Sequence, residues 1–259
     1  MEISSRENRI IKAYRRLAKD AKYRRESGLF VVEGARLCGD AARSAVVIET
    51  ALVTNRAAAQ YAEIVKAVQV AAKETFEIPD SLSVYLADTD TPQGVFCICR
   101  LPLDGARPEP HGYYAALENI QDPGNLGTMI RTAEAFGFRG IFLSDGCCDP
   151  YSPKVLRSSM GGVFRMPVYA GGSFAEQLPA LKKQGFRSFA CVVDATATPV
   201  QKTIFPEGSV CVIGNEGNGL TTATIAACSD RITIPMAGRA ESLNASMAAG
   251  IIFWEMIRG

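Results

Sequence analysis

Three segments in the second half of the chain carry polar residues at spacings that could serve chemistry. The first, residues 119–131, reads NIQDPGNLGTMIR and ends on Arg131. An apolar run at 113–117 precedes it and apolar residues at helical spacing follow, so it is predicted to join a strand to a helix. In open α/β sheets ligands bind at such places, beyond the carboxyl end of a strand and near the amino end of a helix.

Arg131 favours a functional interpretation of this segment over an ordinary turn. Asn, Asp, Pro and Gly are common turn residues, and they would by themselves make residues 119–125 a simple connection. With a helix predicted at 126–137, Arg131 would lie about one turn from its start, where the helix dipole disfavours a cation. An anionic ligand would remove this penalty, so Arg131 is predicted to meet one.

A glycine-rich loop forms the second segment, which reads IGNEGNGL at residues 213–220. It follows an apolar run at 209–213, so it too is predicted to leave the end of a strand. Three glycines within six residues let a ligand approach the main chain closely. The segment lacks both the terminal KS or KT of a Walker loop and the spacing of a G-x-G-x-x-G dinucleotide loop. What remains is a tight loop that presents Glu216.

The third segment, residues 234–244, reads IPMAGRAESLN and leads from a strand into an apolar helix. That helix is predicted at 242–257, and Ser242 would serve as its N-cap. Asn244 has no such structural explanation. A helix so apolar must be covered on nearly all sides, by the core of its own domain or by a second subunit, and we expect a two-fold dimer through this part of the chain.

Strands and helices alternate on both sides of a proline-rich segment, which predicts two α/β domains. Residues 101–111 contain three prolines and interrupt all periodicity, so they are predicted to link a domain of residues 1–100 to one of residues 112–259. In the second domain, strands are predicted at 113–117, 140–143, 187–193, 209–213 and 231–234. Helices are predicted there at 126–137, 151–160, 173–185, 221–227 and 242–257.

Together the three segments resemble the ordered motifs of the SpoU/TrmH-type RNA 2′-O-methyltransferases, within the knotted SPOUT superfamily. The three motifs span nearly all of residues 113–257. The resemblance implies a trefoil-knotted, Rossmann-like parallel sheet at the C-terminus and a smaller L30e-like α/β domain that binds RNA over residues 1–100. It also implies that S-adenosylmethionine is the cofactor and that the ribose 2′-hydroxyl of a structured RNA is methylated. Ribosomal RNA is favoured over transfer RNA, with guanosine as the expected nucleotide.

The same resemblance assigns roles to particular residues. The catalytic group would consist of polar side chains from all three segments, namely Asn125, Arg131, Glu216, Ser242 and Asn244. The cofactor would be held by loop backbone around Gly214, Ile234 and Leu243. Two roles stay open for Arg131, because a guanidinium is effectively always protonated. It either takes the proton of the hydroxyl, or it clamps a phosphate and steadies the developing alkoxide while water takes the proton.

Residues 1–25 concentrate positive charge in a chain whose net charge is +1. Nine Lys and Arg side chains stand there against three acidic ones. Ile10, Tyr14, Leu17 and Ala21 fall at helical spacing, which predicts an amphipathic helix with a basic outer face. A solvated surface helix is the simpler alternative, but phosphate recognition requires such clusters of cations, so we expect this helix to bind RNA.

Composition argues against several other classes of protein. The eight cysteines include no C-x-x-C pair and His111 is the only histidine, so no metal site is expected and most thiols are interpreted as reduced and buried. No run approaches the roughly 18 apolar residues of a membrane span, and the first residues have no apolar core of the signal-peptide kind. We therefore expect a cytoplasmic protein that does not enter a membrane.

Two other functions are compatible with parts of the sequence. A non-catalytic RNA-binding or ribosome-assembly factor that retains a knotted domain would lack at least one residue of the polar group, and none is missing. A metabolic enzyme that binds a nucleotide on a doubly wound sheet would leave the basic N-terminal helix unexplained.

Overall fold

The computed structural model describes residues 1–102 and 107–258. These residues form two compact units, one of residues 1–102 and 149–164, the other of residues 107–148 and 165–258. The predicted linker at 101–111 includes residues 103–106, which lie outside the described residues. Residues 149–164 follow a strand of the second unit in the sequence, yet they pack within the first.

A four-stranded mixed sheet forms the centre of the first unit. Its strands are β1 (Leu29–Glu33), β2 (Ile48–Val53), β3 (Ala72–Glu77) and β4 (Val95–Arg100), in the order β1-β4-β2-β3. β4 runs antiparallel to β1 and β2, whereas β2 and β3 are parallel. Helices surround the sheet: α1 (Arg9–Lys19), α2 (Ala21–Ser27), α3 (Ala35–Ala42), α4 (Asn55–Gln60), α5 (Ala62–Ala71) and α6 (Asp80–Leu86).

The basic N-terminal segment forms two helices, so the prediction of a single helix is wrong. Asp20 ends α1, and its side chain accepts a hydrogen bond of 2.9 Å from the N–H of Tyr23, which makes Asp20 the N-cap of α2. Ile11, Tyr14 and Leu17 are buried and pack in the core of the unit, as an amphipathic α1 requires.

Residues 149–164 are held in the first unit by an aromatic contact and an ion pair. The rings of Phe30 and Tyr151 lie 5.1 Å apart between centroids. The Arg24 Nε donates to Asp149 Oδ2 at 2.7 Å, and Arg24 is only 4% exposed. Arg24 is one of the nine cations of residues 1–25, but it is buried and paired with Asp149, so it does not belong to an exposed basic face.

The second unit contains a seven-stranded parallel sheet. Its strands are β5 (Tyr113–Leu117), β6 (Gly140–Leu143), β7 (Val168–Ala170), β8 (Arg187–Cys191), β9 (Thr198–Pro199), β10 (Ser209–Ile213) and β11 (Asp230–Thr233). The order is β7-β6-β5-β10-β8-β11-β9. The later helices of the chain are α7 (Pro123–Ala135), α8 (Pro153–Ser158), α9 (Phe174–Lys183), α10 (Thr222–Ala227) and α11 (Ala245–Arg258), of which α8 belongs to the first unit.

The strand order of this sheet changes direction between β5 and β10. From β5 the chain proceeds outward to β6 and β7, whereas β10 pairs β5 on its other side, with Leu117 opposite Ile213. In open parallel sheets such a switch point is where ligands bind, beyond the carboxyl ends of the two strands. The loops that follow β5 and β10 are the first and second polar segments of the sequence, so the sheet brings both to this place.

The predicted fold class is confirmed as α/β with a parallel C-terminal sheet and a smaller N-terminal α/β unit. All five predicted strands of the second half are present, while the short edge strands β7 and β9 were not predicted. The knot in the chain path stays a prediction. Across residues 1–102 and 107–258, the apolar helices are too short to reach across a lipid bilayer.

Candidate active site

The backbone turns sharply as it leaves β5, at Asn119. This residue has φ 56°, in the left-handed region that Asn tolerates better than most residues. Its N–H donates to the Ser144 hydroxyl at 2.9 Å, and its C=O accepts a hydrogen bond of 2.9 Å from the side chain of Asn215. The loops after β5 and β10 are therefore joined by a direct hydrogen bond at the strand ends.

The buried carboxylate of Glu118, next to Asn119, anchors the far end of the glycine-rich loop. Glu118 is 5% exposed and accepts hydrogen bonds from the N–H of Thr221 at 2.8 Å and from its hydroxyl at 3.1 Å. The Thr224 hydroxyl also donates to it. A buried carboxylate is tolerated when its oxygens are satisfied in this way. Glu118 is not among the predicted site residues, although a carboxylate directly after a buried strand is a signal for such a residue.

The glycine-rich loop at 214–220 closes on itself. Backbone hydrogen bonds of 3.2 and 2.8 Å join Asn215 and Gly219 in both directions, and the Asn215 side-chain oxygen accepts from the N–H of Gly217 at 2.8 Å. A Cβ atom at Gly214 would lie 2.2 Å from the carbonyl carbon of Gly219, so only glycine fits there. The loop is therefore a fixed support for Glu216, its most prominent side chain.

Three of the five predicted catalytic residues meet in one chain of hydrogen bonds. The side-chain amide of Asn125 donates to Glu216 Oε1 at 2.6 Å, and that of Asn244 donates to Asn125 Oδ1 at 3.2 Å. Asn125 is half-buried, whereas Glu216 and Asn244 are exposed. Each comes from a different polar segment, so the fold assembles the three segments at one place.

Two helix starts position the asparagines of this chain. Asp122 is the N-cap of α7 and accepts a hydrogen bond of 2.7 Å from the N–H of Asn125, which fixes Asn125 in the first turn. The Asn244 side-chain oxygen accepts from the N–H groups of Ser246 at 3.0 Å and Met247 at 3.3 Å. Asn244 is therefore the N-cap of α11, and the prediction of Ser242 as N-cap is wrong.

Arg131 and Ser242 lie outside the hydrogen-bond chain in this structure. Arg131 is exposed, and within the described ranges its side chain makes no hydrogen bond or ion pair. Because α7 begins at Pro123 and not at residue 126, Arg131 is its ninth residue, about two turns from the start. The dipole argument for an anion at Arg131 is therefore wrong, since the effect is confined to the first turn. Ser242 is exposed and likewise makes no hydrogen bond with the described residues.

The main chain near the predicted cofactor residues offers unpaired polar groups. Gly214 is buried, yet neither its N–H nor its C=O forms a hydrogen bond within the described part of the chain. Residues 235–243 also lack regular structure and backbone hydrogen bonds among the described residues, but they are exposed apart from half-buried Met236, so water can satisfy their polar groups. Buried backbone groups are normally paired, so those of Gly214 fit a ligand rich in hydrogen-bonding atoms. No cluster of three His, Cys, Asp or Glu suited to a metal occurs among residues 1–102 and 107–258.

Comparison with known families matches both parts of the chain. The SpoU rRNA methylase family matches residues 112–254, a range that contains all three polar segments. The chain belongs to the SpoU rRNA methylase family. An MRM3-like substrate-binding domain matches residues 8–97. As a SpoU methylase, the chain is an S-adenosylmethionine-dependent RNA methyltransferase, and this part of the prediction is confirmed.

Relatives of this SpoU methylase are similar over nearly its whole length. The 23S rRNA (guanosine(2553)-2′-O)-methyltransferase RlmP of Bacillus subtilis is 30% identical over 98% of both chains. An uncharacterized tRNA/rRNA methyltransferase of Synechocystis is 31% identical over 99% of this chain and 93% of its own. The crystal structure of an AdoMet-bound rRNA methyltransferase from Sinorhizobium meliloti aligns with a TM-score of 0.88 at 30% identity, covering 100% of this chain and 97% of that one.

Proposed function

We propose that this SpoU methylase transfers a methyl group from S-adenosylmethionine to the ribose 2′-hydroxyl of a nucleotide in ribosomal RNA, with guanosine as the expected nucleotide. The observation that carries the proposal is the hydrogen-bond chain of Asn125, Glu216 and Asn244 at the switch point of the parallel sheet. The name of the Bacillus subtilis relative, a guanosine 2′-O-methyltransferase of 23S rRNA, supports the same reaction and substrate.

The proposed roles follow from the chemistry of the reaction. S-adenosylmethionine, when bound, supplies an electrophilic methyl group on a sulfonium. The chain must then hold the hydroxyl in line with that group and assist the loss of its proton. We assign the orientation of the hydroxyl to Asn125, Glu216 and Asn244. Ser242, which lies in the same polar segment as Asn244, would take part as well. Arg131 would clamp an RNA phosphate, because its protonated planar guanidinium matches phosphate geometry and has no competing partner among the described residues.

The proposed cofactor contacts are made by the main chain. Gly214, Ile234 and Leu243 would hold S-adenosylmethionine through the unpaired backbone groups of Gly214 and the exposed main chain of residues 235–243. Backbone contacts suit this purpose because they fix a ligand without requiring particular side chains. In support, Leu243 is 39% exposed and lies next to Asn244, so cofactor and hydrogen-bond chain would be neighbours.

We assign RNA binding to residues 1–100, joined to the methyltransferase domain of residues 112–259 by the predicted linker. Support comes from the match of residues 8–97 to a substrate-binding domain and from exposed cations on α1 and α2. Arg9, Lys19 and Arg25 form no ion pair within the described ranges, so their charges are available to phosphates. We keep the cytoplasm as the proposed location, because a ribosomal RNA substrate is found there.

A two-fold dimer through α11 is also proposed. One face of this helix carries three exposed apolar side chains at helical spacing, Met247 (63%), Ile251 (37%) and Trp254 (51%), and Leu243 (39%), two residues before the helix, continues the spacing. Such a stripe is unusual for a face in water, whereas a second copy of the same helix would cover it.

The proposal is tested by methyl transfer to matched RNA transcripts. One 23S rRNA transcript carries the region of the nucleotide named for the Bacillus subtilis relative, and two others carry a 2′-deoxy or a 2′-O-methyl residue there. We expect transfer from labelled S-adenosylmethionine to the unmodified transcript alone. Transfer to all three would place the acceptor elsewhere. RNA binding without transfer to this transcript, or to total ribosomal RNA from cells that lack the protein, would favour the non-catalytic assembly factor.

A further inference from the structure

An arginine pair converges on one tyrosine in the first unit. The guanidinium carbons of Arg6 and Arg15 lie 4.6 and 4.4 Å from the centre of the Tyr85 ring. Arg15 Nη1 also donates to the Tyr85 C=O at 2.5 Å, near the end of α6. Tyr85 is partly buried and packs on the core, so it gives both guanidinium groups a fixed support.

The charges of this pair are not neutralised within the described part of the chain, where no carboxylate bonds to Arg6 or Arg15. Three of the carboxylates close to them in sequence or on α6 and after it have other partners: Glu7 with Lys12, Asp80 with Arg56, and Asp88 with Arg157. Two like charges gathered at one ring repel each other, and the cation–π contacts offset only part of that cost. An anion beside either guanidinium group would offset the repulsion.

A neighbouring arginine shows the contrasting arrangement. The Arg16 guanidinium lies 4.0 Å from the centre of the Tyr23 ring, in the same kind of contact. Its Nε, however, lies 3.6 Å from Asp20 Oδ2, so this charge has an acidic partner on the protein surface. The same segment thus contains a stacked arginine with an acidic partner and two stacked arginines without one.

We propose that Arg6, Arg15 and Tyr85 form a site for phosphate groups of the RNA backbone. This proposal rests on the proposed function, in which the first unit binds RNA. Each guanidinium has five N–H donors in a rigid fork, and Arg15 uses one of them on Tyr85, so donors remain for phosphate oxygens. The ring restrains both side chains in advance, which lowers the entropy lost when RNA binds. RNA is favoured over an acidic protein because closely spaced phosphates can engage both forks.

The test measures RNA affinity against salt in the full-length protein. The probe is the unmodified 23S rRNA transcript, and the variants are Arg6→Gln, Arg15→Gln and the matched control Arg16→Gln. We expect each of the first two variants to bind about tenfold more weakly in 100 mM KCl, as for a lost hydrogen bond to a charged group. Each should also reduce the slope of log Kd against log [KCl] by about 0.7–0.9. Arg16→Gln should change neither quantity.

Further variants separate binding from folding. Arg15→Lys keeps the charge and should keep the salt slope, and thermal unfolding of every variant shows whether the first unit stays folded. Wild-type affinity and slope in folded Arg6→Gln and Arg15→Gln would overturn the proposal. An equal loss in Arg16→Gln would also overturn it, because general charge and not this site would then bind RNA. Failure of the proposed function would show differently, as absence of methyl transfer by the wild-type protein.

Discussion

At the scale of single residues, Arg131 separates catalysis from structure most clearly. It is exposed on α7 and its side chain forms no hydrogen bond or ion pair in the described ranges, so the guanidinium is available to a ligand. We predict that Arg131→Ala lowers methyl transfer by about 10²–10³-fold or more. Stability should change by no more than about 0.5 kcal/mol, as for surface substitutions. Single-turnover transfer, cofactor affinity and thermal unfolding are measured in parallel.

Two further variants sharpen the test of Arg131. Arg131→Lys keeps the charge but loses the planar fork, so it should be nearly as inactive as Arg131→Ala if the fork holds a phosphate. Arg139→Ala is the matched control, because it removes another exposed arginine of the same unit and should leave transfer unchanged. Wild-type turnover in Arg131→Ala would exclude the proposed role. Early melting together with loss of cofactor binding would make Arg131 a structural residue.

The same substitution, Glu to Gln, should lower stability at Glu118 and lower methyl transfer at Glu216. Glu216 is exposed, so Glu216→Gln should leave stability unchanged and lower transfer by about 10²-fold through misplaced polar groups. Glu118→Gln loses the charge and one of the two oxygens that accept from the Thr221 N–H and from the Thr221 and Thr224 hydroxyls, at a cost of about 1–3 kcal/mol of unfolding free energy. Chemical denaturation measures the stability of both variants, and transfer assays measure their activity. A stable but inactive Glu118→Gln would show that Glu118 takes part in the reaction.

At the scale of elements, the start of α11 combines a structural and a proposed chemical task in Asn244. Asn244→Asp keeps the oxygen that caps the helix but loses the amide that donates to Asn125. It should therefore retain stability and lose transfer. Asn244→Ala loses both, and should also cost about 1 kcal/mol of stability. Ser242→Ala should leave stability unchanged, because Ser242 does not cap the helix. Thermal unfolding and transfer rates test this order, and full activity in Asn244→Asp would remove the amide from the mechanism.

The elements also show what the sequence could and could not predict. Apolar spacing located β5, β6 and β10 at their observed bounds, because burial on both faces leaves a short continuous apolar run. The starts of α7 and α11 were misplaced, since the helices begin where Asp122 and Asn244 cap them and not where the apolar period begins. β7 and β9 were missed because edge strands of two or three residues are defined by pairing rather than by composition.

The candidate site was predictable to a similar degree. The structure brings Asn125, Glu216 and Asn244 together, because each follows a strand whose carboxyl end lies at the same edge of the sheet, while their roles stay predictions. Glu118 was not predicted because its role depends on hydrogen bonds with Thr221, which lies 103 residues further along the chain. Such long-range polar pairs leave no periodic signal in a single sequence.

At the scale of the whole molecule, residues 149–164 prevent a clean separation of the two functions by truncation. Deleting residues 1–100 would remove Phe30 and Arg24, the buried partners of Tyr151 and Asp149. The freed segment would then expose an aromatic ring and an unpaired carboxylate, and loss of activity in the fragment would have two explanations. The division of labour between substrate binding and methyl transfer is therefore better tested with point variants of the intact chain.

The dimer is the prediction that concerns the whole molecule most directly. Met247→Glu and Trp254→Glu place a charge in the exposed apolar stripe of α11, where burial against a second copy would desolvate it. Both variants should be monomeric at micromolar concentration by light scattering, whereas the wild-type protein should be a dimer. Ile204→Glu is the matched control, because Ile204 is 87% exposed in the same unit but lies off α11.

The activity of the monomeric variants decides what the dimer does. Leu243, two residues before α11, is both the first residue of the apolar stripe and a proposed cofactor residue, and Asn244 follows it as the N-cap of the helix. A partner packed on the stripe would restrain these residues, so transfer should fall together with dimerisation while the monomers remain folded. Monomeric variants with wild-type transfer would show that α11 needs no partner for catalysis. A wild-type protein that is already monomeric would remove the dimer from the proposal.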